Sequence, residues 1–169
     1  GEEFGRAGKA GKLLRNAIRA MLQNASDSRM VSRLTAEMVK VIQEDVTNVR
    51  GLRNVIDGEA ELLEGFEFNI SGKLGTTLYA PFTGTIDRVA GTLTANIPAF
   101  VPINMLAAPG GSTHFKIVSA GAEVDFENET YYGGWKTNQD GMRRLALANR
   151  VVSSKTTLNY VRYAKDFPA

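Results

Sequence analysis

The chain opens on a stretch that invites a phosphate-loop reading, Gly5-Arg6-Ala7-Gly8-Lys9-Ala10-Gly11-Lys12. A Walker loop needs four residues between its glycines, then Lys followed by Ser or Thr to hold magnesium. Here five residues separate Gly5 from Gly11, and Leu13 stands where the hydroxyl belongs. The stretch is therefore read as a flexible, frayed lead-in and not as a nucleotide site. His114 is the only histidine, which excludes any site that needs two. A Ser-His-Asp triad would have to draw on Ser112, Ser119 or Ser153, none of which sits in a Gly-x-Ser-x-Gly elbow. His114 is read instead as a surface or capping residue at the start of a strand.

Asp125, Glu127 and Glu129 alternate along the chain, which on a strand directs all three carboxylates from one face. That pattern admits a calcium site or an acid/base pair for sugar chemistry. A calcium loop wraps its ligands around a turn with Asp, Asn and Gly at set offsets, and those offsets are absent here. The carboxylates are read as a solvated acidic face, with no catalytic residue, metal or cofactor assigned. A carboxylate-based hydrolase on Asp125 and Glu127 is the one enzymatic alternative. Tyr131, Tyr132 and Trp135 follow at once, and Gly133-Gly134 keeps the backbone loose between them. Together with Asp125 and Glu127 they form a candidate aromatic and acidic loop for carbohydrate or protein.

Charge is unevenly spread. Residues 1–56 hold ten Lys/Arg and six Asp/Glu, hence +4; residues 57–169 hold ten and twelve, hence −2; the chain totals +2. Lys9, Lys12, Arg15 and Arg19 run opposite the apolar stripe of a first helix, a basic stripe suited to nucleic acid or an acidic protein surface. Asp57, Glu59, Glu61, Glu64 and Glu67 form an acidic cluster that could pair with that stripe within or between molecules. Three Asn-x-Ser/Thr triplets, at Asn24, Asn69 and Asn128, are no more than chance allows among eleven asparagines.

The elements that must position these residues are legible from periodicity. Leu13, Leu14, Ala17, Ile18, Met21 and Leu22 lay one stripe down a helix. Asn24-Ala25-Ser26-Asp27-Ser28 interrupts it with side chains that bond locally to backbone. A second stripe follows in Met30, Val31, Leu34, Met38, Val41, Ile42 and Val46, so the two helices are expected as an antiparallel hairpin. Asp57 is expected to cap a third, short helix through Leu62 and Leu63, ended by Gly65, with Phe66 and Phe68 tucked beneath. After about residue 74 the period shortens to two, and Gly and Pro punctuate short runs. Thr92–Ile97, His114–Val118, Ala122–Glu127, Leu145–Val152 and Thr156–Tyr163 are among some six candidate strands. These features give α+β: a helical region at 1–73, then an antiparallel immunoglobulin/fibronectin-like β-sandwich at 74–169, incomplete by one strand.

Composition narrows the classes further. The 169 residues suffice for a hydrophobic core without staples, and the absence of cysteine removes disulfides, thiol catalysis and thiolate metal sites. No apolar run is long enough to span a membrane, and Gly1-Glu2-Glu3 does not start a signal peptide. Cytoplasmic is the default compartment, though a start without Met is consistent with a fragment or processed form.

Four stretches carry a resemblance: Glu3–Arg15; Asp27-Ser28-Arg29 with Ser32-Arg33-Leu34; Arg50-Gly51-Leu52-Arg53-Asn54-Val55-Ile56-Asp57-Gly58-Glu59; and Thr113–Phe126. Together, to about Tyr132, they resemble a family of uncharacterised Bacteroidota proteins. The resemblance implies no activity, cofactor or catalytic residue. It implies a further upstream segment rich in short β-like runs, so the chain's start resembles an internal point of the family pattern. The expected role is a non-enzymatic structural or protein-interaction module that self-associates through an open sheet edge. Its alternative is a ligand-binding module, for carbohydrate at the aromatic loop or nucleic acid at the basic stripe.

Overall fold

A computed structural model of the chain describes residues 1–23, 25–87, 92–115, 117–137 and 143–144. Its architecture is α+β: a helical first part, then short antiparallel strands. Helix α1 runs Glu2–Ala17 and, after a break at Ile18, continues as the single turn α2, Arg19–Leu22. Helix α3 runs Met30–Gln43 and packs along α1.

The start of α1 corrects the expectation of a frayed lead-in. Ala7, Ala10 and Gly11 are buried, and a Cβ built on Gly11 would lie 3.7 Å from the Leu34 side chain. Small side chains let the two helix backbones approach closely, and such contacts give almost no hydropathy signal. Glu2 and Glu3 in the first turn also favour the helix, since carboxylates there offset its dipole.

From α3, the core takes Met30, Leu34, Met38, Val41 and Ile42, four of them at most 1% exposed. Burying side chains of this size contributes about 1.5–3 kcal/mol each. Val31 and Val46, counted with the stripe in the sequence, are exposed: Val31 lies off the buried face and Val46 lies beyond the helix end. Asp27 closes the turn before α3, accepting from the Arg29 N–H at 2.8 Å, as the local-bonding reading of that segment expects.

Residues 44–59 fold back over the C-terminal end of α3. Gly58 passes so close to it that an added Cβ would sit 2.1 Å from the Val41 carbonyl oxygen. A 3-10 turn, Ala60–Leu63, follows and packs on α3, and Gly65 leaves it at φ +79. Asp57 does not cap this turn; its carboxylate accepts from the Asn48 and Asn54 amides instead. Phe68 is buried in the helical core, with Phe66 edge-on to it at 4.9 Å between ring centres.

Among the described residues, the β-segment consists of antiparallel pairs. β1 (Thr83–Asp87) pairs with β2 (Thr92–Asn96), Thr85 facing Thr94. A helical turn α4, Pro102–Met105, precedes the two-residue β3, His114–Phe115, which pairs with β6, Arg143–Arg144. β4 (Val118–Asp125) and β5 (Thr130–Thr137), eight residues each, form a hairpin. The single strand expected over His114–Val118 is thus divided between β3 and β4, which join different partners. The strands expected at Leu145–Val152 and Thr156–Tyr163 lie outside the described residues.

Two apolar clusters organise the fold. The first joins the helices to Val55, Ala60, Leu63 and Phe68, and takes Val124 and Phe126 from the β4–β5 hairpin. The second, Leu74, Leu78, Ala80, Leu106 and Phe115, gathers Phe82, Ile97 and Phe100 around it. An antiparallel bridge from Leu78 to Leu106 ties that cluster together. The β4–β5 hairpin therefore packs on helix α1 and, among the described residues, not against a second sheet.

Candidate interaction surface

The densest polar network lies where the N-terminal end of α1 meets the chain leaving α3. Glu3 takes the Arg53 guanidinium on both carboxylate oxygens, at 2.8 and 2.9 Å, and accepts the Gly51 N–H at 2.7 Å. Arg6 donates to the carbonyls of Gly51 and Arg53 from the neighbouring turn. The Arg53 hydrogen bond, then the Gly51 N–H, pull the Glu3 carboxyl down to about 2 against desolvation.

Beside it, Asp45 is buried. Its Oδ1 accepts the Thr47 and Asn48 N–H groups, and its Oδ2 accepts the Asn48 amide and the Asn54 N–H. Burial pushes the Asp45 carboxyl up, but the donors, led by Asn48, outweigh it and hold the group down at about 2. With its acceptor sites filled from within the chain, this carboxylate binds the loop to itself. The spacing of Asp45, Asn48, Asn54 and Asp57 was its one sequence signal, legible only once the loop is seen to close on itself.

The expected acidic and aromatic loop is arranged differently from its sequence reading. Asp125 ends β4 and accepts the Glu127 N–H, the Asn128 N–H and the Asn128 amide, all within 3.0 Å. Those bonds, Asn128 foremost, lower its pKa. Glu127 and Glu129 stand in the turn, Glu129 at φ 55, so the three carboxylates do not share a strand face. Asp125 closes a hairpin, the role Asp takes readily because its side chain bonds backbone two and three residues on. Gly133 and Gly134 are not loose: they are ladder positions opposite Ala122 and Gly121. Tyr131, half-exposed, faces Val124 across the ladder, while Tyr132 faces Glu123 and Trp135 faces Ala120. The alternation of a strand puts positions 131 and 135 on one face and 132 on the other.

His114 is half-buried, with its Nδ1 2.8 Å from the Thr113 hydroxyl; Ser112 is buried and Ser153 lies outside the described residues. Among the described residues, no group of three His, Asp or Glu could hold a metal ion, and no helix is long and apolar enough to cross a membrane. The Gly5–Lys12 stretch is helical throughout, so its backbone N–H groups are not arrayed as a phosphate loop.

The basic stripe is divided by the break at Ile18: Lys9, Lys12 and Arg15 lie on α1 and Arg19 begins α2. Lys9, Lys12 and Arg19 are exposed, Arg15 is half-buried, and all lie away from the buried Ala7, Ala10 and Leu14. None forms an ion pair among the described residues, where the pairs are Arg33–Asp27, Lys40–Glu37 and Arg53–Glu3. The acidic cluster divides. Asp57 joins the Asn network and Glu67 accepts the Leu74 N–H, while Glu59, Glu61 and Glu64 are exposed. No match to this chain emerges from comparison with family models, curated proteins or solved structures.

Proposed function

We propose that this chain is a non-enzymatic structural or protein-interaction module that self-associates through the open edges of its β-segment. The observation that carries this reading is that the strands stand in twos, with no third strand beside any pair among the described residues. A two-stranded ribbon is marginal in water. Its outer edges present backbone donors and acceptors to an incoming chain. The β1–β2 pair is the more open, with Thr83, Thr85, Thr94, Ala95 and Asn96 all exposed. The immunoglobulin/fibronectin-like sandwich belongs to the same proposal: the cluster around Leu78 and Phe115 is its core, one strand short, and a second copy supplies the missing edge. The resemblance to uncharacterised Bacteroidota proteins is compatible with such a role and adds no chemistry to it.

Light scattering during size exclusion tests this directly. A mass that rises above the 18.4 kDa of one chain with concentration is expected. Thr85→Lys combined with Ala95→Lys, which sets a charge on each face of the ribbon, should return it toward one chain with the far-UV spectrum unchanged. A single-chain mass at every concentration would end the self-association reading. The ligand-binding alternative would then be tested by Trp135 fluorescence against sugars.

A further inference from the structure

We infer that a second copy of this chain docks its 59–64 segment on the outer face of α1, setting Glu59, Glu61 and Glu64 against Lys9, Lys12 and Arg15, with Leu62 over Gly5 and Gly8. The contact deepens the self-association proposed above and is distinct from the strand edges.

The outer face of α1 combines two features that the fold itself does not call for. At 3.6 residues per turn, Gly5, Gly8, Lys9 and Lys12 share the side opposite the buried Ala7, Ala10 and Leu14, with the half-buried Arg15 at its flank. Glycine inside a helix is unfavourable relative to alanine. Yet Gly5 and Gly8 need no left-handed backbone, and a Cβ on either would meet nothing within 4 Å among the described residues. Gly11, on the packed side, has a neighbour in Leu34; these two do not. Their missing side chains leave a shallow gap between cations that form no ion pair among the described residues, shaped for close approach by another chain.

The 59–64 segment is the complement. Leu62 is 46% exposed and is flanked by Glu59, Glu61 and Glu64, an apolar knob with an acidic rim. At about 2.0 Å per residue in a 3-10 turn, residues 59 to 64 span about 10 Å. Lys9 to Arg15 on α1 spans about 9 Å. The two surfaces do not meet within one copy: the 60–63 turn packs on α3, the stripe faces away from α3, and no ion pair joins them among the described residues. A contact between unlike patches is heterologous and propagates unless its rotation closes a ring. Nucleic acid fits the face less well, because Glu2 and Glu3 begin the same helix and the whole chain carries only +2.

The test uses the full chain at low and high salt, since screening shortens from about 10 Å at 0.1 M to about 3 Å at 1 M. The associated mass should fall with salt. Lys12→Glu with Arg15→Glu, and separately Glu61→Lys with Glu64→Lys, should each lose the salt-sensitive species, and mixing the two variants should restore it. Gly5→Gln with Gly8→Gln should raise the melting temperature while weakening association at least tenfold, a combination no folding defect produces. Association indifferent to salt, charge reversal and the glycine pair would overturn this contact and leave the strand-edge reading standing. Association that salt reduces fully to a single chain, and that Thr85→Lys with Ala95→Lys leaves unchanged, would do the reverse. A single-chain mass throughout would overturn both. If a short DNA duplex binds the α1 face and the acidic-patch variant changes nothing, the partner is nucleic acid and the inference fails.

Discussion

Asp45 is 3% exposed, yet it stays ionised because four donors from Thr47, Asn48 and Asn54 converge on its two oxygens. Glu3, tied to Arg53 and Gly51, is held down in the same way. The ordinary values of 3.8 and 4.5 fall to about 2 in the folded chain, so the unfolded chain binds protons first as pH drops. Both groups therefore contribute stability in full above about pH 5, and lose it as pH falls through about 4 toward about 2. Thermal melts across that range should show a steep decline. Asp45→Ala should lower the melting temperature at neutral pH and flatten the acid limb, because it removes a group that takes up its proton more readily in the unfolded chain than in the folded one. Composition showed these residues as ordinary acids. Their effect on stability was not legible, because it depends on which N–H groups the 44–59 loop turns inward.

At the scale of the elements, two glycines separate a replaceable contact from an irreplaceable one. Gly11 leaves room for a methyl group against Leu34, so Gly11→Ala should be tolerated or stabilising by up to about 1 kcal/mol through helix propensity. Gly58 lies against the Val41 carbonyl, and Gly58→Ala must displace backbone, at a cost of about 1–3 kcal/mol or more. Denaturant titration of both variants gives the comparison, and equal effects would refute the packing argument. The α3 stripe was readable because Leu34, Met38, Val41 and Ile42 are large and regularly spaced. The first half of α1 was not, because Ala7, Ala10 and Gly11 bury little area individually and only a facing helix makes them a surface.

Across the whole molecule, the β4–β5 hairpin couples the late strands to the early helices. Phe126 and Val124 pack on a cluster built mainly from residues 7–68. Phe126→Ala should therefore destabilise the helices themselves, by less than the about 3–5 kcal/mol of a fully buried ring because Phe126 is only partly buried. The readout is an earlier loss of the helical far-UV signal on heating; a helical transition untouched by the substitution would show that the hairpin is an appendage. Such a contact joins positions some hundred residues apart, and nothing in the local pattern of either segment announces it.

The sequence by itself determined what short-range physics controls: an amphipathic α3, an alternating run through Ala122–Asp125, though not its end there, glycine where Gly65 must turn left-handed, and no cysteine chemistry. Only the tertiary structure decided which alternation faces which neighbour. It turned Asp125 into a hairpin lock, Gly133 and Gly134 into ladder positions, and the supposed lead-in into a packed helix. The reason is common to all three. Period and propensity constrain a residue's own φ and ψ, whereas burial and hydrogen-bond partners depend on chain segments far away in sequence.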